Sequence, residues 1–166
     1  FANITFVLGE HRLEDFVARD MILKAAGVPL DSIYIAEAKK NGIPVRMSAD
    51  LLMELSGVPT IGVTGTRGKS TVTQMVYEIL KEVEKPVLLG GNVRGVSNLS
   101  LLVEVTPEHT LVLELDSWQC QGLGEANLSP QIAVFTTLYP DHQNYYKNDP
   151  AQYLLDKANI FLHQDP

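Results

Sequence analysis

Short apolar, β-branched runs alternate along residues 58–166 with stretches whose apolar positions recur at helical spacing. Residues 58–64 read as a buried strand, and 72–81 as a helix with Val72, Met75, Val76, Ile79 and Leu80 on one face. Further strands are predicted at 86–89, 111–115 and 132–137, and Asp149-Pro150 opens a last helix with proline in its first turn. Upstream, strands are expected at 4–8, 21–23 and 43–46, with a polar stretch over 9–15. A helix runs from Asp31 or Ser32 to Lys40 and ends at Asn41-Gly42, and Ser48 caps a short helix over 49–55. Gly57 and Pro59 mark a joint between an upstream part, 1–57, and a downstream part, 58–166. Strands that alternate with helices imply an α/β fold: a mostly parallel sheet with helices on both faces, which binds ligands at the carboxyl ends of its strands.

The joint between the strand at 58–64 and its helix carries the clearest chemistry. Gly65, Thr66, Arg67, Gly68, Lys69, Ser70 and Thr71 form a glycine-punctuated turn. Such a turn aims backbone N–H groups and the positive end of a helix at one point, which suits a polyphosphate. Lys69 brings a cation to the outer phosphates, and the Ser70 hydroxyl stands where a Mg²⁺ ligand is needed. The spacing is not the strict eight-residue phosphate-loop pattern: Val63 occupies the position of its first glycine, and Gly62 and Gly65 bracket it.

Three further residues are candidates. On the strand at 111–115, Leu111, Leu113 and Leu115 face one way, so Glu114 shares the opposite apolar face with Val112. A carboxylate there is costly unless a cation compensates it, either a Mg²⁺ ion or a basic side chain. Asp141-His142 follows the strand at 132–137, as a solvated loop pair or as part of the same site. Lys157 lies on or beside the buried stripe of the last helix, between Tyr153 and Leu154 on one turn and Ile160 and Phe161 on the next. It either snorkels to solvent, or is desolvated into a neutral amine that can take up CO₂ as a carbamate and so become an anionic metal ligand.

Composition adds exclusions. The formal charge is -7 over 166 residues and no basic run is present, so nucleic acid is not an expected partner. The one cysteine, Cys120, rules out an internal disulfide and fits a reducing compartment. No apolar run approaches the roughly 20 residues needed to span a bilayer, and Phe6-Val7-Leu8 is too short for a signal-peptide core. The opening at Phe1 and the stop at Asp165-Pro166 read as cut ends, so a piece of a longer protein is expected.

Five segments, in this order and spacing, resemble the Mur ligases, ATP-dependent amide-forming enzymes that build the peptide stem of bacterial cell-wall precursors. They are Gly-Thr-Arg-Gly-Lys-Ser-Thr (65–71), Gly-Gly-Asn (90–92), Leu-Glu-Leu-Asp-Ser-Trp-Gln (113–119), Leu-Tyr-Pro-Asp-His (138–142) and Asp-Lys-Ala-Asn-Ile-Phe (156–161). Ser70, the Ser-Trp-Gln segment and the Tyr-Pro-Asp-His loop lean toward the branch that adds D-glutamate to UDP-N-acetylmuramoyl-L-alanine. The resemblance implies that 1–57 ends a Rossmann-like domain for the UDP substrate and that 58–166 begins a P-loop-type ATP-binding domain. It implies ATP phosphates on Gly65, Thr66, Arg67, Gly68, Lys69, Ser70 and Thr71, and catalytic roles for Lys69, Lys157 and His142. Two Mg²⁺ ions would be held by Ser70, Glu114, His142 and a carbamylated Lys157. Asn92, Ser117, Gln119 and His142 would contact the muramoyl-alanine part of the substrate.

The reaction so implied forms an acyl phosphate and releases ADP and phosphate, in a cytoplasmic, monomeric enzyme with no membrane or nucleic-acid partner; the chain as given is expected to be inactive alone. Asp116 stands where this branch commonly has serine, and Gln121 where glutamate is frequent. The glycine turn expected to hold UDP reads as absent or incomplete, and the adenine pocket and the domain that presents D-glutamate read as missing from the sequence as given. Another Mur-type ligase or a folylpolyglutamate synthase is the alternative enzyme. A non-catalytic nucleotide-binding switch is the alternative of another class, and gives no role to Glu114, His142 or Lys157.

Overall fold

A computed structural model describes residues 3–165; Phe1 and Pro166, on which the reading of cut ends rests, lie outside the described residues. The chain divides into two compact units, Phe1–Arg46 and Met47–Pro166.

In the first unit a two-stranded parallel sheet pairs β1 (Ile22–Leu23) with β2 (Val45–Arg46). Helix α1 (Ile33–Lys40) buries Ile35 and Ala38 against Ile43 and Val45. It stops at Asn41 because Gly42 takes a positive φ of 70° and the Ile43 N–H turns back to Ala38 O. The strand expected at 4–8 does not form: Phe6 and Leu8 are exposed, and no neighbouring edge among the described residues takes its hydrogen bonds. Within the polar stretch, Leu13–Phe16 makes a short 3-10 turn, with Arg12 ion-paired to Asp15 at 2.8 Å.

The second unit is built on four parallel strands: β3 (Thr60–Thr64), β4 (Val87–Gly91), β5 (Thr110–Glu114) and β6 (Ile132–Phe135), in the order β4-β5-β3-β6. Five helices join them: α2 (Ser48–Ser56), α3 (Lys69–Glu82), α4 (Asn98–Glu104), α5 (Ser117–Ala126) and α6 (Pro150–Ala158). Leu111, Leu113 and Leu115 pack with Leu52 and Met53 of α2, Leu101 of α4, and Cys120 and Leu123 of α5. Helix α3 lies against β3, β4 and β5 from the other side, so both faces of the sheet are covered.

Two expectations are refined, the position of the joint and the cap of α2. Helix α2 belongs to the second body, so the division falls at Arg46/Met47, earlier than the Gly57–Pro59 joint. Ala49, Leu52 and Met53 are part of the sheet's core, and Gly57 only caps α2, at φ 63° with its N–H on Met53 O. The α2 cap is likewise not Ser48: the Met47 N–H donates to the Asp50 carboxylate at 2.7 Å. Helices α4 and α5 come in addition to the elements expected from the apolar pattern. In α5 the glycines permit close approach, since a Cβ at Gly122 would press on Met47 and one at Gly124 on Asn159.

The carboxyl ends of β3, β4 and β5 lie at one edge because the strands are parallel and in register, with Val63 opposite Glu114 and Glu114 opposite Gly91. Leu113 is fully buried at the centre of the sheet. Leu113→Ala is expected to destabilise the fold by about 2–5 kcal/mol, read as a lower urea midpoint at constant slope. An unchanged midpoint would contradict this packing.

Candidate active site

Strand β3 runs into the glycine turn, and α3 begins at Lys69. Gly65 has φ 136°, and a Cβ there would run into Thr136 and the Thr137 backbone, so no other residue fits. The segment after β6 fastens the turn: Thr66 N–H donates to Thr137 O at 2.7 Å, Arg67 N–H to Thr137 Oγ1 at 2.9 Å, and Thr136 Oγ1 to Arg67 O at 2.6 Å. The first-turn N–H groups of α3 have no intrahelical acceptor, and the positive helix end opens onto the turn. Ser70 and Thr71 are exposed there.

Two lysines converge on this turn. Lys69 Nζ donates to Gly65 O at 3.0 Å and Thr66 O at 3.3 Å. Lys157 Nζ, from α6, donates to the same Gly65 O at 3.0 Å and to Thr64 Oγ1 at 3.3 Å. Lys157 is 1% exposed, which removes the snorkelling alternative. Its amine also lies 5.0 Å from the Tyr153 ring centroid. Burial pushes its pKa below the ordinary lysine value; the Cys120 thiol opposes the shift and the Lys69 charge adds to it. Thr64 sets the geometry: its hydroxyl donates to Leu115 O at 2.6 Å, so a lone pair faces Lys157. Cys120 Sγ sits 3.6 Å from the same oxygen, and burial pushes its thiol up to about 12.

Glu114 ends β5 beside β3 and is 6% exposed. Its backbone oxygen accepts from Asn92 N–H at 2.7 Å, while its carboxylate has no hydrogen-bond or ion-pair partner among the described residues. The alternative of a basic partner is therefore not what the structure contains. His142, at φ 49° on the loop after β6, stacks on Trp118 at 4.5 Å between centroids, and its Nε2 lies 3.9 Å from Asp141 Oδ2. Among the described residues no three His, Cys, Asp or Glu side chains gather into a metal cluster. One carboxylate and one hydroxyl near the glycine turn is instead a donor set that fits Mg²⁺, an ion that takes few protein ligands and keeps water.

A cavity of about 640 Å³ opens at the end of β4, with Asn92, Arg94 and Gln119 in its wall. Asn98, a residue that no motif marks, holds the backbone beneath it. The Asn98 side chain accepts from Gly91 N–H at 2.7 Å and donates to Gly91 O at 3.2 Å and Ser48 Oγ at 3.1 Å. Ser117 does not line this cavity: it is 1% exposed, and its hydroxyl faces the Tyr146 phenol without a well-formed hydrogen bond.

The two departures noted in the sequence also acquire a place. Asp116 caps α5, accepting from Gln119 N–H at 2.8 Å, while Gln119 Oε1 returns to Asp116 N–H at 3.1 Å. That leaves the Gln119 amide NH₂ for a ligand. Gln121 donates to Asp156 Oδ2 at 3.0 Å, beside the Tyr146 hydroxyl on the same oxygen at 3.0 Å. It therefore braces α5 against α6.

The Mur ligase middle domain pattern matches residues 63–166, from the end of β3 through α6. The chain belongs to the Mur ligase family. Over 162 residues this Mur ligase chain is 40% identical to the UDP-N-acetylmuramoylalanine--D-glutamate ligase of Borreliella burgdorferi (strain ZS7), covering 98% of this chain and 34% of that protein. The enzyme of the same name from Roseiflexus sp. (strain RS-1) is also 40% identical, over 163 residues, with the same coverage of 98% and 34%. The chain thus spans about a third of the length of these curated relatives.

Among solved structures, UDP-N-acetylmuramate-alanine ligase MurC from Thermotoga maritima matches with a TM-score of 0.54 at 22% identity, covering 94% of this chain and 36% of that one. UDP-N-acetylmuramate:L-alanyl-gamma-D-glutamyl-meso-diaminopimelate ligase from Neisseria meningitides matches with 0.54 at 16%, covering 88% and 49%. Both share the α/β fold. No helix among the described residues is long and apolar enough to cross a membrane.

The burial of Lys157 has a consequence for stability. With its folded pKa below the ordinary 10.5, the unfolded chain binds more protons between the two values, so stability from this group rises with pH in that window. The stability of the wild type relative to Lys157→Met is therefore expected to grow as pH climbs toward 10.5, measured by urea unfolding. A difference that stays flat or falls would contradict the desolvated amine.

Proposed function

We propose that the chain is part of an ATP-dependent carbon–nitrogen ligase of peptidoglycan precursor synthesis, joining D-glutamate to UDP-N-acetylmuramoyl-L-alanine through an acyl phosphate. The observation that carries this reading is the meeting of Lys69 and Lys157 on the Gly65 carbonyl at the mouth of a glycine turn. The names of the relatives and their coverage of 98% of this chain support the choice of branch.

On this reading the backbone of Gly65, Thr66, Arg67, Gly68, Lys69, Ser70 and Thr71 holds the ATP phosphates. Lys69 leaves its carbonyl acceptors for the outer phosphate and stabilises the charge that develops in transfer. Ser70, Glu114, His142 and, once carbamylated, Lys157 would hold two Mg²⁺ ions. When bound, these neutralise phosphate charge and fix the geometry of attack. Asn92 and Gln119, with His142, position the muramoyl-alanine so that its carboxylate meets the γ-phosphorus, while Ser117, buried outside the cavity wall, is left out of this contact set. The amine of D-glutamate then displaces phosphate from the activated carbonyl.

Residues 1–57 are read as the end of the UDP-substrate domain and 58–166 as the first part of the ATP domain, with α2 packed onto the latter. The parent enzyme is read as cytoplasmic and monomeric.

In the full-length enzyme, Lys69→Ala is expected to lower D-glutamate-dependent ADP release by about 100-fold or more. Turnover near the wild-type rate would contradict the role of Lys69. Phosphate release triggered by another amino acid, and not by D-glutamate, would move the chain to a sister ligase.

A further inference from the structure

We propose that Arg94 is a specificity-determining residue that grips the diphosphate of the nucleotide-sugar substrate at the carboxyl end of β4; this deepens, and rests on, the ligase reading above. Arg94 is the one charged residue in the wall of the 640 Å³ cavity. In a chain of formal charge -7, its guanidinium makes no ion pair or hydrogen bond among the described residues and is exposed. The other polar groups of that wall, Ser48, Asn92, Ser97, Asn98 and Gln119, are neutral. One cation among neutral hydrogen-bonding groups suits a sugar that carries an anion.

The backbone that presents Arg94 is fixed on both sides. Before it, Asn98 clamps the Gly91 N–H and C=O, and Gly91 takes a φ of 85° in contact with the Glu114 backbone. After it, the Val96 N–H returns to Val93 O at 3.2 Å, with Gly95 at φ 82°. Arg94 thus occupies the outer corner of a type II turn whose next residue needs a positive φ.

The topology says which anion it meets. Strand β5, ending in Glu114, separates β4 from β3 and its glycine turn. Two inter-strand spacings put the β4 end about 10 Å from the site of phosphoryl transfer. The carboxylate that becomes an acyl phosphate has to lie at the glycine turn, so the cavity at β4 receives a more distant part of the same molecule. In a UDP-sugar with a lactyl-alanine arm, the sugar ring separates that arm from the diphosphate. The planar fork of an arginine offers paired donors to two phosphate oxygens.

The test is steady-state kinetics of the full-length enzyme with two acceptors: UDP-N-acetylmuramoyl-L-alanine, and N-acetylmuramoyl-L-alanine without the nucleotide. Arg94→Gln is expected to raise KM for the first on the order of 10- to 100-fold, the range for a hydrogen bond to a charged group. KM for ATP, kcat, and use of the second acceptor should be little changed, and Arg94→Lys should recover part of the loss. An unchanged KM for the UDP substrate, or an equal penalty on the acceptor without diphosphate, overturns the assignment. Equilibrium titration with UDP reads the same contact without turnover. Weaker binding by Arg94→Gln upholds it and equal binding overturns it, whichever amino acid the enzyme adds. Absence of wild-type turnover with D-glutamate would count against the ligase reading, not against this contact.

Discussion

One carbonyl oxygen carries two ammonium groups: Gly65 O accepts from Lys69 and from Lys157, each at 3.0 Å. Two like charges held this close repel, and Lys157 is also cut off from water. Neither amine has a hydrogen-bonded carboxylate to offset this among the described residues. An anion brought to the turn relieves the repulsion, and so does conversion of the buried amine to an anionic carbamate. The proposed chemistry uses both routes: phosphate draws Lys69 away, and CO₂ changes the sign of Lys157.

The fold supplies this arrangement through a few constraints. Parallel pairing brings Thr64, Glu114 and Gly91 to one edge, and the segment after β6 ties the turn down through Thr136 and Thr137. Helix α6 is oriented by the Asp156 carboxylate, which collects Gln121, Tyr146 and Gln152, and this places the neighbouring Lys157 against Thr64. Tyr153, one turn earlier, shares a hydrogen bond of 3.1 Å with the Thr66 hydroxyl, so α6 holds the glycine turn at two points. Each removal of a buried polar group from such a network leaves a partner with an unmet hydrogen bond.

Much of this was legible along the chain. The turn at 65–71 and the strand ends follow from local pattern, because glycine spacing and helical periodicity are properties of neighbouring residues; that pattern puts Lys157 on or beside the buried stripe, and only the packing decides between burial and snorkelling. The helix at 117–126 was not, since its two glycines and short apolar run argue against a helix. The Asp116–Gln119 cap and the packing on Met47 and Asn159 decide it. Residues 4–8 carry strand-like residues but gain no partner edge. The Asn98 clamp was invisible for a third reason, as it depends on a loop folding back seven residues onto Gly91. Asp116 reads in sequence as a departure from the serine common in this branch, and in the fold it serves as a helix cap.

The chemistry of the amine at Lys157 decides whether this site can hold metal and phosphate together. The direct measurement is ¹³C NMR of the protein equilibrated with ¹³C-bicarbonate, compared with Lys157→Met. A carbamate carbon signal present in the wild type and missing from the variant is the predicted result. Absence of that signal at saturating bicarbonate, with the protein folded, would contradict it.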